Sequence, residues 1–240
     1  MRDQVYSKAQ NHIVDFAFTA DVAAVFPDMI RRSVPGYETI IPVTGLIAAR
    51  ALTPGSTAVD LGCSLGATTQ AIAAQTEEDV QIIGIDNSEP MIEGATKANQ
   101  DPRISFVLSD AMSEDALERM TGAQVIVMNF MLQFCEPSTR TKFLTDILSQ
   151  MASGGLLILS EKVMATEPAL HEFFDETHLA WKRANGYSDL EVSQKRTALE
   201  NVMQVDSEET HTDRLQSVGF ESVRQWYKCM NWASFIAWKP

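Results

Sequence analysis

The chain has few basic residues for its content of acidic ones. Its 240 residues include 19 Lys and Arg against 32 Asp and Glu, which gives a formal net charge of -13 at pH 7. Binding to a nucleic-acid backbone depends on basic side chains that neutralise phosphates, and no basic run here is longer than two residues. We therefore expect no direct binding to nucleic acid.

Long apolar runs and paired metal ligands are also missing. No segment approaches the roughly 18 apolar residues of a membrane span, and the N-terminal stretch has no apolar core of the kind found in secretory signals. Cys63, Cys135 and Cys229 are too few and too far apart for a disulfide framework or a CxxC metal site. His171 and His178 have no third ligand at suitable spacing, so a packed or exposed helix face is the simpler interpretation. The sequence predicts a cytoplasmic protein with reduced thiols, no bound metal and no membrane association.

From residue 57 onward, short β-branched runs alternate with helical stretches. This alternation predicts parallel strands in a doubly wound α/β sheet. The predicted strands are 57–61, 81–86, 104–108, 124–129 and LLILSE, which begins at Leu156 after two glycines. Near the end of the chain, 220–228 and 232–238 are two strand-like runs separated by a few residues, which predicts an antiparallel hairpin.

A single domain over residues 1–240 is expected from the length. Residues 18–52 predict two helices broken around Pro35-Gly36, which would cover the ligand cleft. Residues 163–214 exceed the length of a simple connection in such folds. We interpret them as a helical insertion that also covers the cleft.

The dinucleotide fingerprint G-x-G-x-x-G is absent. DLGCSLG (60–66) follows the first strand, but Ser64 replaces the second glycine of the fingerprint and Ala67 replaces the last. Because the second glycine makes room for a pyrophosphate, a ligand without a pyrophosphate fits this loop better. S-adenosylmethionine is such a ligand.

Polar side chains stand at or just after the ends of the next three strands. Asp86 is placed to accept hydrogen bonds from both ribose hydroxyls, Asp110 to meet the adenine amino group, and Asn129 to face the same crevice. Each residue alone could simply cap the following helix. Together, behind a glycine loop, they predict a nucleoside site.

Longer motifs make the similarity specific. DLGCSLGATT, IDNS, VMNFMLQF, LILSEK and KRANGYSDLEVSQKRTALENVM resemble the carboxy-S-adenosylmethionine synthase family, and VFPDMIRRSVPGY resembles its N-terminal segment. The glycine loop is generic to class I methyltransferases, whereas RSVPGY and SQKR…ENVM are far more diagnostic. The resemblance runs from about residue 18 to residue 238.

The resemblance implies a fold, an activity and a set of ligand contacts. The fold is the Rossmann-like class I methyltransferase sheet, with strand order 3-2-1-4-5-7-6 and an antiparallel C-terminal hairpin. The activity, in a homodimer, is conversion of S-adenosylmethionine and prephenate to carboxy-S-adenosylmethionine and phenylpyruvate; a separate enzyme then uses the product to carboxymethylate the wobble uridine of certain tRNAs. The implied contacts are Tyr37, Gly62, Cys63, Ser64, Asp86, Asn87, Asp110, Ala111, Asn129 and Arg196.

Arg196 and Tyr37 are the two contacts expected to act in the reaction. A guanidinium makes two parallel hydrogen bonds to a carboxylate, so Arg196 is expected to clamp the carboxylate of the product, from the same chain or from a neighbouring subunit. Alternatively, Lys195-Arg196 is a solvated helix face that balances Glu191 and Glu200. Tyr37 is expected to contact the bound ligand, the alternative being a turn-anchored core aromatic.

The residues that bind prephenate do not follow from the sequence, although two pairs are candidates. Arg31-Arg32 either meet a prephenate carboxylate or neutralise nearby acidic residues. Trp181 and Tyr187 either line a pocket for its ring or pack within an amphipathic helix. Two other functions stay open: a conventional methyltransferase acting on tRNA or a small carboxylic acid, and a cofactor-binding protein without catalysis.

Overall fold

The computed structural model of the chain describes residues 1–9, 12–77 and 79–240. A twisted sheet forms its centre, with helices on both faces. The strands are β1 (Thr57–Leu61), β2 (Gln81–Asp86), β3 (Ile104–Leu108), β4 (Val125–Asn129), β5 (Leu156–Met164), β6 (Asp206–Ser207), β7 (Glu221–Cys229) and β8 (Trp232–Trp238). The helices are α1 (Ala20–Ser33), α2 (Tyr37–Ala51), α3 (Ala67–Ala73), α4 (Glu89–Ala98), α5 (Glu114–Arg119), α6 (Pro137–Gln150), α7 (Pro168–Ala184), α8 (Asp189–Leu199) and α9 (Glu208–Val218).

The sheet has the order β3-β2-β1-β4-β5-β8-β7. Strands β1 to β5 all run parallel to one another. Strand β8 runs antiparallel to both of its neighbours, β5 and β7. The doubly wound class and the C-terminal hairpin are therefore confirmed. The predicted strand order is confirmed as well: it did not count the short β6, so its sixth and seventh strands are β7 and β8. The two-residue β6, which pairs with the end of β5, was not predicted.

The core lies on both faces of the sheet because successive strand residues point to opposite sides. Val59 and Ile126 pack on one face with residues of α6 and α9. Ala58 and Val127 pack on the other face with residues of α2 and α3. Both faces are covered, which explains why the inner strands read as continuous apolar runs.

The bounds of the predicted insertion, 163–214, differ from the structure. Strand β5 continues to Met164, because β8 supplies ladder partners as far as Lys162 and β6 pairs with the two residues beyond it. Helix α9 already begins at Glu208. The helices between these points are α7 and α8.

The N-terminal residues fasten α8 and the turn that precedes it. The hydroxyl of Tyr187 donates to Asp3 Oδ2 at 2.5 Å, and Gln194 Nε2 donates to the carbonyl of Tyr6 at 2.9 Å. The backbone N–H of Phe16 donates to the carbonyl of Ala198 at 2.8 Å. Of the helices in the described ranges, none combines the length and apolarity that crossing a bilayer requires.

Candidate active site

A cavity of about 670 Å³ lies at the carboxyl ends of the parallel strands. One wall is formed by the residues that follow β1, β2, β3 and β4, and the opposite wall by side chains of α1, α2, α7 and α8. In open parallel sheets this is the position at which ligands bind. Every contact residue expected from the sequence lines the cavity except Arg196.

The glycine loop after β1 is sharply turned. Gly62 has a φ of 69°, and a Cβ added to it would lie 2.7 Å from Met131 Cγ. Ser64, which is not a glycine, also adopts a positive φ, of 50°. Such a conformation costs free energy and persists only where neighbouring contacts hold it.

Asp86 provides that contact. Its Oδ2 accepts a hydrogen bond from the Ser64 N–H and its Oδ1 accepts one from the Ser88 N–H, each at 2.8 Å. Burial raises the pKa of this carboxyl. Each carboxylate oxygen has two lone pairs, so Asp86 can still accept from a ligand in the cavity. Sequence reasoning assigned it only the ligand and missed its role in shaping the loop.

The Cys63 side chain contributes little chemistry. Burial raises the pKa of its thiol, which therefore stays protonated. Its backbone N–H and that of Gly62 both donate to the carbonyl of Ile85, at 3.0 and 2.8 Å. These bonds attach the loop to β2, so the backbone of Cys63 contributes more to the site than its sulfur does.

The polar residues after β3 and β4 face the same cavity. Asp110 Oδ1 accepts the Met112 N–H at 2.8 Å, and Ala111 follows it in the wall. Asn129 Nδ2 donates to Thr68 Oγ1 at 3.0 Å. Within the described residues the buried Asn129 Oδ1 has no hydrogen-bond partner, so it is an acceptor suited to an N–H or O–H group of a ligand.

Aromatic rings continue the wall beyond Asn129. Burial, and to a smaller extent the nearby Asp60, raises the pKa of Tyr37 to about 12. Tyr37 is thus a protonated hydrogen-bond donor at neutral pH and no base. Its ring centroid lies 6.3 Å from that of Phe130, and Phe130 packs edge-to-face against Trp232 at 5.4 Å.

A fully buried acid shapes the segment after β4. Glu161 accepts the backbone N–H groups of Met131, Leu132 and Gln133 at 3.2, 2.7 and 3.1 Å. Burial raises its pKa to about 8. The carboxyl group holds part of the cavity wall in place, a role that no sequence pattern indicated.

Arg196 does not reach the cavity of its own chain. It lies on the exposed face of α8, whereas Lys195 on the buried face lines the cavity. Arg196 is thus exposed and absent from the cavity wall, although its charge acts on Lys182, which lines the cavity. Its contact with the ligand, from the same chain or from a neighbouring subunit, stays a prediction. Among the described residues Arg196 forms no ion pair with Glu191 or Glu200, and Glu191 instead completes a capping box with Ser188.

The candidate pairs for prephenate mostly serve packing. Arg32 pairs with Asp28 at 3.1 Å and lies over the ring of Tyr187 at 3.7 Å. Arg31 lines the cavity but pairs with an acidic residue of α2 at 3.5 Å, and both partners are exposed. Neither Tyr187 nor Trp181 belongs to the cavity wall. Neutralisation and packing thus describe these residues.

The two histidines of α7 have different surroundings. His171 Nε2 lies 3.8 Å from Asp175 at the surface. His178 is buried, with Nε2 2.8 Å from the carbonyl of Ser33, and burial lowers its pKa to about 3. No group of three potential ligands suited to a metal ion occurs in the part of the chain that the structure describes.

Sequence reasoning missed most of the cations of the cavity. Lys162, Lys182 and Lys195 line it from β5, α7 and α8, beside His178 and Trp232. Each lysine is isolated among other residue types along the chain, and only the fold brings them together. The signals available were single residues in the SEK, WKR and QKR stretches, which have no informative spacing.

Comparison with known proteins identifies the family. The family described as methyltransferase domain matches residues 58–155. The carboxy-S-adenosyl-L-methionine synthase of Actinobacillus succinogenes is 45% identical over 242 residues, covering 99% of this chain and 99% of that protein. The chain belongs to the carboxy-S-adenosyl-L-methionine synthase family. Another carboxy-S-adenosyl-L-methionine synthase, from Pseudomonas paraeruginosa, is 44% identical and covers 98% of this chain and 95% of its own length.

Solved structures agree on the fold of this family member. An O-methyltransferase family protein from Burkholderia thailandensis superposes with a TM-score of 0.67 at 15% identity, covering 95% of this chain and 65% of that one. Human N-acetylserotonin methyltransferase in complex with S-adenosylmethionine superposes at 0.62 with 14% identity, covering 92% and 55%. At such identities the likeness shows the class I methyltransferase fold alone. The family resemblance stated from the sequence is confirmed.

Proposed function

We propose that the chain is a carboxy-S-adenosyl-L-methionine synthase, which converts S-adenosylmethionine and prephenate to carboxy-S-adenosylmethionine, phenylpyruvate and water. The observation that carries the proposal is the convergence of the glycine loop, Asp86, Asp110, Asn129 and Tyr37 on one cavity. Near-full-length similarity to synthases of that name supports it.

The wall after β1 to β4 suits the nucleoside substrate. The turn at Gly62 brings the loop backbone to the cavity wall, and Asp86 keeps acceptor capacity for ribose hydroxyls. Asp110 lines the same cavity, and we expect its carboxylate to accept from the adenine amino group. The unpartnered Asn129 Oδ1 and the protonated Tyr37 hydroxyl offer an acceptor and a donor to the rest of the molecule.

The reaction balances without a protein base. Prephenate loses its ring carboxylate as carbon dioxide and its ring hydroxyl as hydroxide, which leaves phenylpyruvate. The hydroxide takes a proton from the methyl group, which the neighbouring sulfonium acidifies, and a new carbon–carbon bond joins that methyl carbon to the carbon dioxide. The part of the protein is to align the two reactants and exclude water. Helices α1, α2, α7 and α8, which form the wall opposite the strand ends, suit that part.

Arg196 and the oligomeric state belong to the same proposal. Arg196 is exposed and does not line its own cavity, which favours a carboxylate clamp that is supplied to a second subunit. Large apolar side chains are exposed on the same helical segment, Phe173 at 61% and Leu190 at 40%, and exposed apolar surface is typical of an interaction site. We propose a homodimer in which α8 of one subunit presents Arg196 to the cavity of the other.

The net charge of the chain bears on whether it contacts tRNA itself. A net charge of -13 disfavours contact with tRNA, so the product would pass to a separate carboxymethyltransferase that modifies the wobble uridine. A cytoplasmic location fits both this protein and the carboxymethyltransferase that would receive its product.

Mass spectrometry of a reaction mixture tests the proposal. Purified protein with S-adenosylmethionine and prephenate should yield the nucleoside with one added carboxylate, together with phenylpyruvate. S-adenosylhomocysteine would instead indicate a conventional methyltransferase, and a retained but unchanged ligand would indicate a binding protein. Either result would contradict the proposed function.

A further inference from the structure

Three lysines give one part of the cavity wall a positive charge. Lys162 at the end of β5, Lys182 on α7 and Lys195 on α8 all line it. The three ammonium groups interact with one another, since the charges of Lys195 and Lys162 both lower the pKa of Lys182. A chain with an excess of acidic residues thus collects cations on one internal wall.

The three lysines differ in the groups that their ammonium groups contact. Lys162 Nζ lies 3.5 Å from Asp175 Oδ1, a carboxylate that it shares with His171 and Asn231. Lys195 Nζ donates to the hydroxyl of Ser33 at 2.9 Å. The ammonium group of Lys182 has no hydrogen bond or ion pair with any residue of the described ranges, although the charge of Asp175 acts on it. One ammonium group is left facing the cavity without an acidic partner.

Burial and mutual repulsion make this arrangement costly. Burial, followed by the charges of Lys195 and Lys162, lowers the pKa of Lys182 to about 7. Burial also lowers the pKa of Lys195 to about 8. A bound anion would relieve both effects, because an opposite charge at close range favours the charged form of lysine.

The surface beside the lysines suits a ring. Trp232 is the ladder partner of Lys162 across β5 and β8, and its ring packs edge-to-face against Phe130. Both aromatic residues line the cavity. An acid that carries a flat six-membered ring would therefore meet cations and apolar rings together.

We propose that Lys182, with Lys162 and Lys195 beside it, binds a carboxylate of the ring-bearing second substrate, whose ring lies against Phe130 and Trp232. This inference rests on the proposed function and identifies the site of prephenate within the cavity.

Chemistry indicates which prephenate carboxylate the lysines bind. The ring carboxylate must lose its charge as carbon dioxide, and an ion pair would stabilise it in the ground state and slow its loss. The side-chain carboxylate keeps its charge throughout. The lysines therefore hold the side-chain carboxylate, which is retained in phenylpyruvate, so the product should bind to the same lysines.

Binding to a complex that cannot react tests the assignment. The wild-type protein, saturated with S-adenosylhomocysteine, is titrated calorimetrically with prephenate and with phenylpyruvate. Lys182→Gln should weaken both acids at least about tenfold, the usual effect of losing a hydrogen bond to a charged group, and Lys182→Arg should restore most of the affinity. The matched control is Lys142→Gln, which alters an exposed lysine of α6 paired with Asp146 and should leave both affinities unchanged.

The affinity for S-adenosylhomocysteine, measured on the same variants, serves as the folding control and should not change. Unchanged affinity of Lys182→Gln for both acids would overturn the inference. Equal weakening of S-adenosylhomocysteine would also overturn it, because the lysines would then bind the amino-acid tail of the nucleoside. A wild-type protein that forms no carboxylated product contradicts the proposed function instead, so the two failures are distinguishable.

Discussion

The carboxylate of Asp86 accepts two backbone hydrogen bonds of the folded chain, from Ser64 and Ser88, while it faces the cavity. The first of these bonds keeps Ser64 in its left-handed conformation. One side chain therefore both shapes the glycine loop and offers acceptors to a ribose. Loop geometry and nucleoside affinity should depend on it together.

Asp86→Asn tests this dual role. The amide keeps the size of the side chain but replaces one acceptor oxygen with a donor, so the variant should bind S-adenosylmethionine roughly 10- to 100-fold more weakly. Isothermal titration measures the affinity, with Asp115→Asn on the exposed face of α5 as the control. An Asp86→Asn variant with wild-type affinity would exclude the assigned contact.

Lys182 should make the binding of acids sensitive to pH. Because its pKa in the ligand-free protein is lowered to about 7, its charge is present below that pH and lost above it, so phenylpyruvate should bind more weakly as the pH rises. The charged and titratable groups around it are Lys162, Lys195, Arg196, Asp175 and His178. Lys182→Arg stays charged throughout and should show a flatter dependence from calorimetry at several pH values. Identical pH profiles for the wild type and Lys182→Arg would contradict this origin.

Among the elements, the segment that joins α8 to α9 is fastened by a buried arginine. Arg140 of α6 pairs with Asp206 of β6 at 2.6 Å and donates to the carbonyls of Cys135 and Gln204 at 2.9 and 2.8 Å. Its side chain is 1% exposed. The segment that follows α8 is thereby attached to α6 and to the residues that precede α6.

Arg140→Met should lower the free energy of unfolding by about 2 kcal/mol, because it leaves the carbonyls of Cys135 and Gln204 without this donor and removes one cation from Asp206, which keeps its pair with Arg214 at 2.8 Å. Urea unfolding followed by circular dichroism measures the loss. Arg183→Met, which breaks an exposed ion pair between Arg183 of α7 and Asp189 of α8, is the matched control and should leave the midpoint almost unchanged. A loss no larger than that of the control would show that Arg140 does not fasten this segment.

Elements with a strong local pattern were predictable, and those without one were not. The strand that ends at Asp86 has an apolar run and a polar end, so its place in the sheet followed from the sequence. Strand β6 has two residues and exists only because β5 offers it a partner. The buried face of α8 contains Gln194 and Lys195, so apolar periodicity could not tell that Lys195, and not Arg196, faces the cavity.

For the whole molecule, the distribution of charge decides what the site can bind. The net charge of -13 disfavours a nucleic-acid partner, but a net charge does not tell where the cations lie. The lysines of the cavity come from three consecutive elements, β5, α7 and α8, and only folding brings their side chains to one cavity. The nucleoside end of the site was therefore predictable, whereas the acid-binding end required the structure.

The proposed homodimer predicts that inactive subunits complement each other. Arg196→Ala removes the clamp that a subunit supplies to its partner. Asp86→Ala disables the nucleoside site that lies within the mutated subunit. If Arg196 acts across the interface, a mixed dimer holds one intact site, so an equal mixture that has exchanged subunits should recover roughly one quarter of wild-type activity. Turnover of each variant alone and of the mixture is measured by mass spectrometry. No recovery, despite proven subunit exchange, would contradict action across the interface.

Isotope transfer tests the central claim, that a closed cavity passes the carboxylate of prephenate to the methyl carbon. Prephenate labelled in its ring carboxylate is incubated with the protein and S-adenosylmethionine in a large excess of unlabelled bicarbonate. The account predicts that nearly all of the carboxy-S-adenosylmethionine contains the label, and that labelled bicarbonate with unlabelled prephenate gives none. Carboxylated product without the label, or S-adenosylhomocysteine in its place, would contradict it.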